Sequence, residues 1–305
     1  MDIGGTQIKA ARVNGKGEIT ESLRITAPGD LAGFRKEAAA IVAALGAGAP
    51  AIGIGCKGII ESGTTRVAVL PGTLHYLEGQ LLSELFAGAG EVRADNDARV
   101  ALLGECRWGA ARNRQHVLML TLGTGVGGGV LSGGRVLRGA GGVGGHLGHL
   151  TINPDGELCI CGNRGCLETV FSSRAIESAA ASAIHRGVDS KLLELEQPPS
   201  CEQVFAAARA GDAVAADIVA RATHVLAAAI AGLALAFDPE VVILGGQIAD
   251  AGALLFDPLR AGISGRTRAM LRRELPVVRA ELSGASGVCG AAALAMEDIG
   301  EESCH

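Results

Sequence analysis

A chain of 305 residues with 48% hydrophobic and 19% charged side chains is long enough for two ordinary domains and too apolar to remain disordered. A formal charge of −5, with no basic face or tail, excludes the electrostatics of a nucleic-acid binder. The chain opens on M-D-I-G-G-T without the basic start and apolar core of a signal peptide. Its eight cysteines therefore predict a cytoplasmic protein whose thiols are reduced or hold metal.

Met1 to Arg12 reads as a strand, a tight Gly-Gly turn and a returning strand, followed by a hairpin at Asn14-Gly15-Lys16-Gly17. Gly4 and Gly5 let the backbone approach an anion, Asp2 can hold a hydrated cation, and Thr6 and Lys9 can face phosphate oxygens. The same turn read alone also fits a plain hairpin. A first strand in a central sheet carries several apolar residues before its turn, and only Met1 precedes Asp2, which predicts a truncated start or a misplaced initiator. Apolar spacing predicts a helix over Leu31 to Leu45 and a buried strand over Ala51 to Gly55. Gly58 to Gly79 reads as loop and short strand with a turn at Pro71-Gly72, and Gln80 to Phe86 as a short helix. Glu91 to Ala94 is a strand ending in Asp95-Asn96-Asp97, ahead of a helix from Ala98 to Trp108. Helix capping explains an acidic pair at such a junction; the functional alternative is a carboxylate facing a cleft as a general base.

His116 to Leu122 is an apolar strand that runs into the glycine run Gly123 to Gly129. G-T-G-V-G-G satisfies the dinucleotide fingerprint, but Val130 to Gly145 reads as a second strand with a Ser-Gly-Gly turn, and no acidic residue follows until Asp155. The nicotinamide reading therefore fails, while anion binding by the turn survives. Between His146 and Glu168, His149, Cys159, Cys161 and Cys166 supply the four nitrogen and sulfur ligands of a closed zinc site. Gly156, Gly162 and Gly165 permit the tight folding this needs; the bland alternative is incidental buried cysteines, and a C-x-C pair suits redox chemistry poorly. His146 and Glu168 bracket the cluster as polar groups that a metal knot can hold at a pocket.

Ser173 to Ala183 and Val204 to Ala210 are expected as helices, and Asp212 to Phe237 as one long helix or two in succession. The Ala-rich run from His224 suits a buried helix better than a membrane span. Asp238-Pro239 ends it, Val241 to Leu244 is a strand, and Gly245-Gly246 lets a flat ring lie against the backbone. Leu254 to Arg273 is expected as a helix interrupted near Gly262 to Gly265, with its arginines in solvent. Val277 to Leu282 is the last strand, Gly284 to Gly290 leads into a helix over Ala291 to Met296, and the final polar residues are expected to fray. No Pro- or Ser-rich linker separates the halves, so they are expected to share a hinge.

Two strand-first halves, each with a glycine-rich turn, describe an α/β actin-like (ribonuclease H-like) sugar-kinase fold. Its expected domains are residues 1–112 plus 288–305, and 113–287. The chain resembles the ROK family (repressors, open reading frames and kinases), which includes bacterial glucokinases and N-acetylhexosamine kinases. The resemblance rests on D-I-G-G-T, N-D-A at Asn96 to Ala98, L-G-T-G-V-G-G-G at Leu122 to Gly129, and G-H at Gly148-His149. It extends to C-x-C-G-x-x-G-C-x-E from Cys159 to Glu168, D-P-E-V-V-I-L-G-G from Asp238, and G-A-A-A-L-A near the end. It implies transfer of phosphate from ATP to a hexose or hexose derivative at the 6-hydroxyl, with Asp97 as general base. Asn96, His146, His149 and Glu168 would bind sugar. Asp2 would organise Mg²⁺, and Gly4, Gly5, Thr6, Lys9, Gly123, Thr124 and Gly125 would hold phosphates. Gly245 and Gly246 would flank adenosine, and zinc would sit structurally on His149, Cys159, Cys161 and Cys166. A homodimer in the cytoplasm, with no membrane or nucleic-acid partner, is the implied assembly. The family usually carries E-x-G-H where this chain has H-L-G-H, so His146 replaces a carboxylate that accepts two hydroxyls with a ring offering one acceptor and one donor. Thr73 likewise replaces an Asn in the sugar-side loop. A non-catalytic sugar sensor is the alternative; a repressor would need a helix-turn-helix ahead of the phosphate turn.

Overall fold

The computed structural model describes residues 1–46, 48–195 and 198–296, so the expected frayed end at 297–305 lies outside the described residues. In chain order come β1 (Asp2–Ile3), β2 (Gln7–Val13), β3 (Ile19–Thr26), α1 (Leu31–Leu45), β4 (Ala51–Cys56), β5 (Ile59–Ile60) and β6 (Val67–Val69). Next are α2 (Leu82–Leu85), β7 (Glu91–Asn96), α3 (Asp97–Trp108), β8 (Val117–Leu122), β9 (Val126–Ser132) and β10 (Arg135–Val136). The chain continues through α4 (Ser173–His185), α5 (Cys201–Arg209), α6 (Ala213–Phe237), β11 (Val241–Gly245), α7 (Ala253–Leu271), β12 (Val277–Arg279) and α8 (Ser286–Ala295). One five-stranded sheet has the order β3-β2-β1-β4-β7 and the other β10-β9-β8-β11-β12. Each thus places its first strand in the middle, between a returning hairpin strand and a crossover strand.

Local chemistry explains the elements. Asp30 caps α1 by accepting the Gly33 N–H at 2.7 Å, and the helix buries Phe34, Ala38 and Ile41, the spacing of one face. Phe34 meets Phe86 edge to face at 6.0 Å. Asp212 caps α6, a single 25-residue helix long and apolar enough to cross a membrane, which buries Val219, Leu226 and Ile230 and packs on α5 and α7.

Several boundaries depart from the pattern-based expectation. α7 runs unbroken through Gly262 and Gly265: a Cβ at Gly262 would stand 2.8 Å from Ala227 Cβ, so this glycine serves the close crossing of α6 and α7. The Arg260 guanidinium does not simply face solvent but donates to the Val277 carbonyl at 2.8 Å. β9 starts at Val126, inside the glycine run, because Gly128 leaves room for Leu147, whose Cγ would lie 2.6 Å from a Cβ there. β12 stops at Arg279 and α8 begins at Ser286; the intervening turn delivers two backbone donors to Glu105, and the first residue of α8 a third. That carboxylate is fully buried and accepts from the N–H groups of Glu281 (3.1 Å), Leu282 (3.0 Å) and Ala110 (2.8 Å) and from Ser286 Oγ (3.1 Å). Glu105→Ala strands these buried donors and is expected to cost about 3 kcal/mol, read as a lowered urea midpoint.

The chain forms two compact units. The first holds Met1–Val117, Gly129–Gly145 and the described part of Ala280–His305; the second holds Leu118–Gly128 and His146–Arg279. Residues 113–117, 129–145 and 280–287 therefore group with the first unit, whereas the sequence pattern assigns them to the other domain. The reason is polar. Arg99, 1% exposed, donates to the carbonyls of Gly142 (2.9 Å) and Gly144 (2.5 Å), and Arg138 Nε reaches Asp95 at 2.8 Å. Glu105 holds residues 281, 282 and 286 in the same way.

Candidate functional site

In the first unit, β4 lies parallel to both β1 and β7, and Ile3, Cys56 and Asn96 align across the three strands. Gly4, Lys57 and Asp97 each come one residue later, so the three strand ends deliver a glycine turn, an amine and a carboxylate to one edge. Gly4 donates to the Gln7 carbonyl at 3.0 Å, and Thr73 Oγ1 donates to the Gly5 carbonyl at 2.8 Å. Lys9 stands directly opposite Asp2 in the β1–β2 pair. Burial raises the Asp2 carboxyl above its usual range, against the pull of Lys9 and the N-terminal ammonium. The start of α8 closes on the same carboxylate: a Cβ at Gly287 would be 2.5 Å from Asp2 Oδ2. Thr6 is exposed.

The acidic junction divides its labour among three residues. Asn96 is the helix cap, its Oδ1 accepting from Ala98 (3.0 Å) and Arg99 (3.3 Å) while Nδ2 donates to the Gly58 carbonyl at 3.0 Å. Asp95, 4% exposed, is an internal anchor that pairs with Arg99 and Arg138. Asp97 has neither duty. Its half-buried carboxyl accepts the Ala98 N–H at 2.9 Å. Loss of water, then the Asp2 charge, push it up to about 6, against the Ala98 N–H and the Lys57 and Arg99 cations. A carboxylate tuned in this way is suited to proton transfer near neutral pH.

In the second unit the cysteine segment folds on itself. His149, Cys159, Cys161 and Cys166 each offer one ligand atom, all within 4.8 Å of one another. Cys161 Sγ is 3.6 Å from Cys166 Sγ, and Cys159 Sγ is 3.5 Å from His149 Nδ1. A zinc tetrahedron with metal–sulfur distances of about 2.3 Å has edges of roughly 3.7 Å, so the donor set fits that ion. Gly165 makes the knot possible: its φ is +65°, and a Cβ would fall 1.5 Å from the Asn153 carbonyl oxygen. His149 directs Nδ1 at the sulfurs, and the His146 ring stacks on it at 6.4 Å.

Glu168 follows the last cysteine and returns to the glycine turn, where Oε2 accepts the Val126 N–H at 2.9 Å. A Cβ at Gly125 would be 2.2 Å from that oxygen, so the glycine there admits a carboxylate. The Gly123 carbonyl accepts the Ser173 N–H at 2.8 Å, which seats the turn at the start of α4; Thr124 is exposed. Gly246, at the end of β11, has φ +83° and would place a Cβ 2.2 Å from the Leu122 oxygen. Gly245 and Gly246 therefore lie beside the residue that precedes Gly123. The sequence reading missed the Asp95–Arg99–Arg138 anchor and Lys57, although a lysine and a glycine closing a buried strand, C-K-G at Cys56 to Gly58, were a readable signal.

The chain is similar in sequence to the glucokinase of Thermotoga maritima, 36% identical over 308 residues that cover 98% of this chain and 97% of that protein. It is 34% identical to the N-acetylmannosamine kinase of Escherichia coli O157:H7 over 255 residues, covering 81% of this chain and 82% of that one. Among solved structures it superposes on a ROK family glucokinase from Streptomyces griseus, determined in complex with glucose and AMPPNP. The TM-score is 0.83 at 34% identity, over 96% of this chain and 97% of that one. The fold is thus the α/β actin-like sugar-kinase fold. Residues 1–298 match the ROK family model, and the chain belongs to the ROK family.

Proposed function

We propose that this chain is a carbohydrate kinase that transfers the γ-phosphoryl group of ATP to the 6-hydroxyl of a hexose or hexose derivative. The observation that carries this reading is Asp97, a carboxylate held near the β1 glycine turn and tuned to about 6. In that role Asp97 takes the sugar hydroxyl proton as the oxygen attacks phosphorus, and alignment and charge supply most of the rate. In the first unit the N–H groups around Gly4 and Gly5, with Thr6 and Lys9, hold phosphate oxygens; in the second those around Gly123 and Gly125 do so with Thr124, and Gly245 and Gly246 flank the adenosine. Asn96, already oriented by Gly58 and the α3 N–H groups, lies beside the sugar. Glu168 keeps Oε1 for a hydroxyl while Oε2 is fixed by Val126. Asp2 would hold Mg²⁺ through its water shell, and the ion would neutralise charge on the phosphates. His149, Cys159, Cys161 and Cys166 would hold zinc as a scaffold, leaving His149 Nε2 for the sugar. A cytoplasmic homodimer accompanies this reading by family resemblance.

ADP release over a panel of hexoses and N-acetylhexosamines tests it. Sugar-dependent turnover is expected; none with any sugar would favour a non-catalytic sugar binder. His146 sets the choice within the panel, because an imidazole cannot accept from two hydroxyls as a carboxylate does. His146→Glu is expected to change the ratio of kcat/KM values between two sugars by about tenfold, the worth of one hydrogen bond.

A further inference from the structure

β1 is the middle strand of its sheet and the shortest of the five, two residues set between the seven of β2 and the six of β4. Register fixes where its cover stops. Asp2 and Ile3 pair with Lys9 and Ile8 on β2 and with Gly55 and Cys56 on β4, so Met1 comes opposite Ala10 and Ile54. The buried Met1 nitrogen donates to the Gly53 carbonyl at 2.7 Å, and the Met1 carbonyl accepts the Gly55 N–H at 2.8 Å. The ammonium thus sits where a strand N–H belongs. Beyond it the last three residues of β2, Ala11 to Val13, and the first three of β4, Ala51 to Gly53, line a groove of about 410 Å³. Each flank, counted separately, leaves room for three strand residues, about 10 Å of chain. Both faces of the groove are apolar. Ile41 and Leu45 of α1 close the face shared with Met1 and Ile3, and Val288 and Ala292 of α8 close the face shared with Asp2. Backbone groups are turned into the gap as well. Because the Gly53 carbonyl and the Gly55 N–H face β1, alternation aims the Gly53 N–H and the Ala51 carbonyl the same way. The Gly4 to Gln7 hydrogen bond sets the phase on β2 and aims the N–H and carbonyl of Ala11 inward.

We propose that this groove is a strand-acceptor site whose occupant is an extended, apolar three-residue segment running into the Met1 nitrogen, parallel to β4 and antiparallel to β2. Ladder position defines the occupant's chemistry. The residue joined to Met1 lies beside Gly53, where a Cβ would be 1.7 Å from the Ala291 carbonyl oxygen, so α8 admits only a small side chain there. The second lies beside Ile52 and faces Ile41 and Leu45, which calls for a large aliphatic side chain; its backbone meets the Ala51 carbonyl and the Gly53 N–H. The third returns to the α8 face beside Ala51. Continuity with β1 singles out a joined segment over a separate peptide: the Met1 nitrogen already holds strand geometry, and one peptide bond extends the ladder without moving it. Filling the groove lengthens the strand that carries Asp2 and Gly4 to the edge of the site.

Amide hydrogen exchange at Ala11 and Gly53, read by NMR, tests this on the 305-residue chain and on the same chain extended at its N terminus by Met-Val-Ile-Gly. Both amides are expected to exchange at least about tenfold more slowly in the extended protein, and its thermal midpoint to rise by about 5 °C or more. An extension by Met-Val-Pro-Gly puts at the middle position a residue with no N–H for the Ala51 carbonyl, and should give neither effect. Met-Thr-Val-Gly serves if the first extension does not fold. Unchanged exchange at both amides in a folded aliphatic extension overturns the proposal, as does equal protection from the proline control. Protection already present in the 305-residue chain would also overturn it: loss on deleting residues 297–305 would give the groove to the chain's own end, and dependence on protein concentration would give it to a second copy.

Discussion

Replacing Asp97 with Asn is expected to lower kcat by about 10²- to 10⁴-fold while changing sugar affinity by no more than about threefold. The amide keeps the shape of the side chain and can still accept the Ala98 N–H, but it cannot take a proton. Turnover assays with calorimetric sugar titration check both halves, and a variant with wild-type kcat would move the base elsewhere. With Asp97 as the proposed base the ionised form would be the active one, so kcat/KM should fall as pH drops through about 6 and stay level above it. The stability consequence has the opposite sign. A carboxyl whose folded pKa is raised from 3.8 to about 6 contributes stability that is fully present below 3.8 and lost as pH rises through about 6. Asp97→Asn should therefore be more stable than wild type by about 1 to 3 kcal/mol at pH 8, with the gain vanishing near pH 4. An enzyme made more stable by losing its activity is the expected mark of a strained catalytic group.

Cys161→Ser is expected to abolish stoichiometric metal and to weaken sugar binding more than tenfold. Cys161 is the exposed member of the four, so the substitution removes a ligand with little change in core packing. Zinc binding to small structural sites is worth on the order of 10 kcal/mol or more, enough to hold a segment that has few apolar contacts of its own. In this stretch Leu158 and Ile160 are exposed, so beyond its backbone hydrogen bonds, such as Cys159 N–H to the Asn163 carbonyl at 2.7 Å, ligation would add much of the order. Glu168 lies two residues beyond Cys166, and its hold on Val126 should loosen when the knot opens. Elemental analysis should find about one zinc per chain in the wild type, lost in the variant. A zinc-free wild-type protein with full activity would break the link between metal and pocket.

Much of the secondary structure was legible because one face of each element is buried and its period shows in the sequence. α1 has the predicted bounds, its face set by Phe34, Ala38 and Ile41 and its start by Asp30. The reading failed where glycine had a tertiary purpose. Gly262 and Gly128 look like breaks, yet each clears space for a neighbour, Ala227 in one case and Leu147 in the other. No local pattern reveals that a missing side chain is a contact.

The candidate site divides along the same line. Sequence alone marked His149, Cys159, Cys161 and Cys166 as one group of donors at short spacing among glycines, and the fold brings their ligand atoms within 4.8 Å of one another; it also marked the Asp95-Asn96-Asp97 junction. Residue types alone did not separate those three; the family resemblance singled out Asp97 as base, while cap and anchor differ only in what lies opposite. Tertiary structure decided that Asn96 faces the helix N–H groups, Asp95 the buried guanidinium of Arg99, and Asp97 the Asp2 and Lys57 charges. The physical reason is that residue type fixes which protons and ligands a side chain can exchange. The pKa of Asp97 comes from strand ends brought together from forty or more residues away.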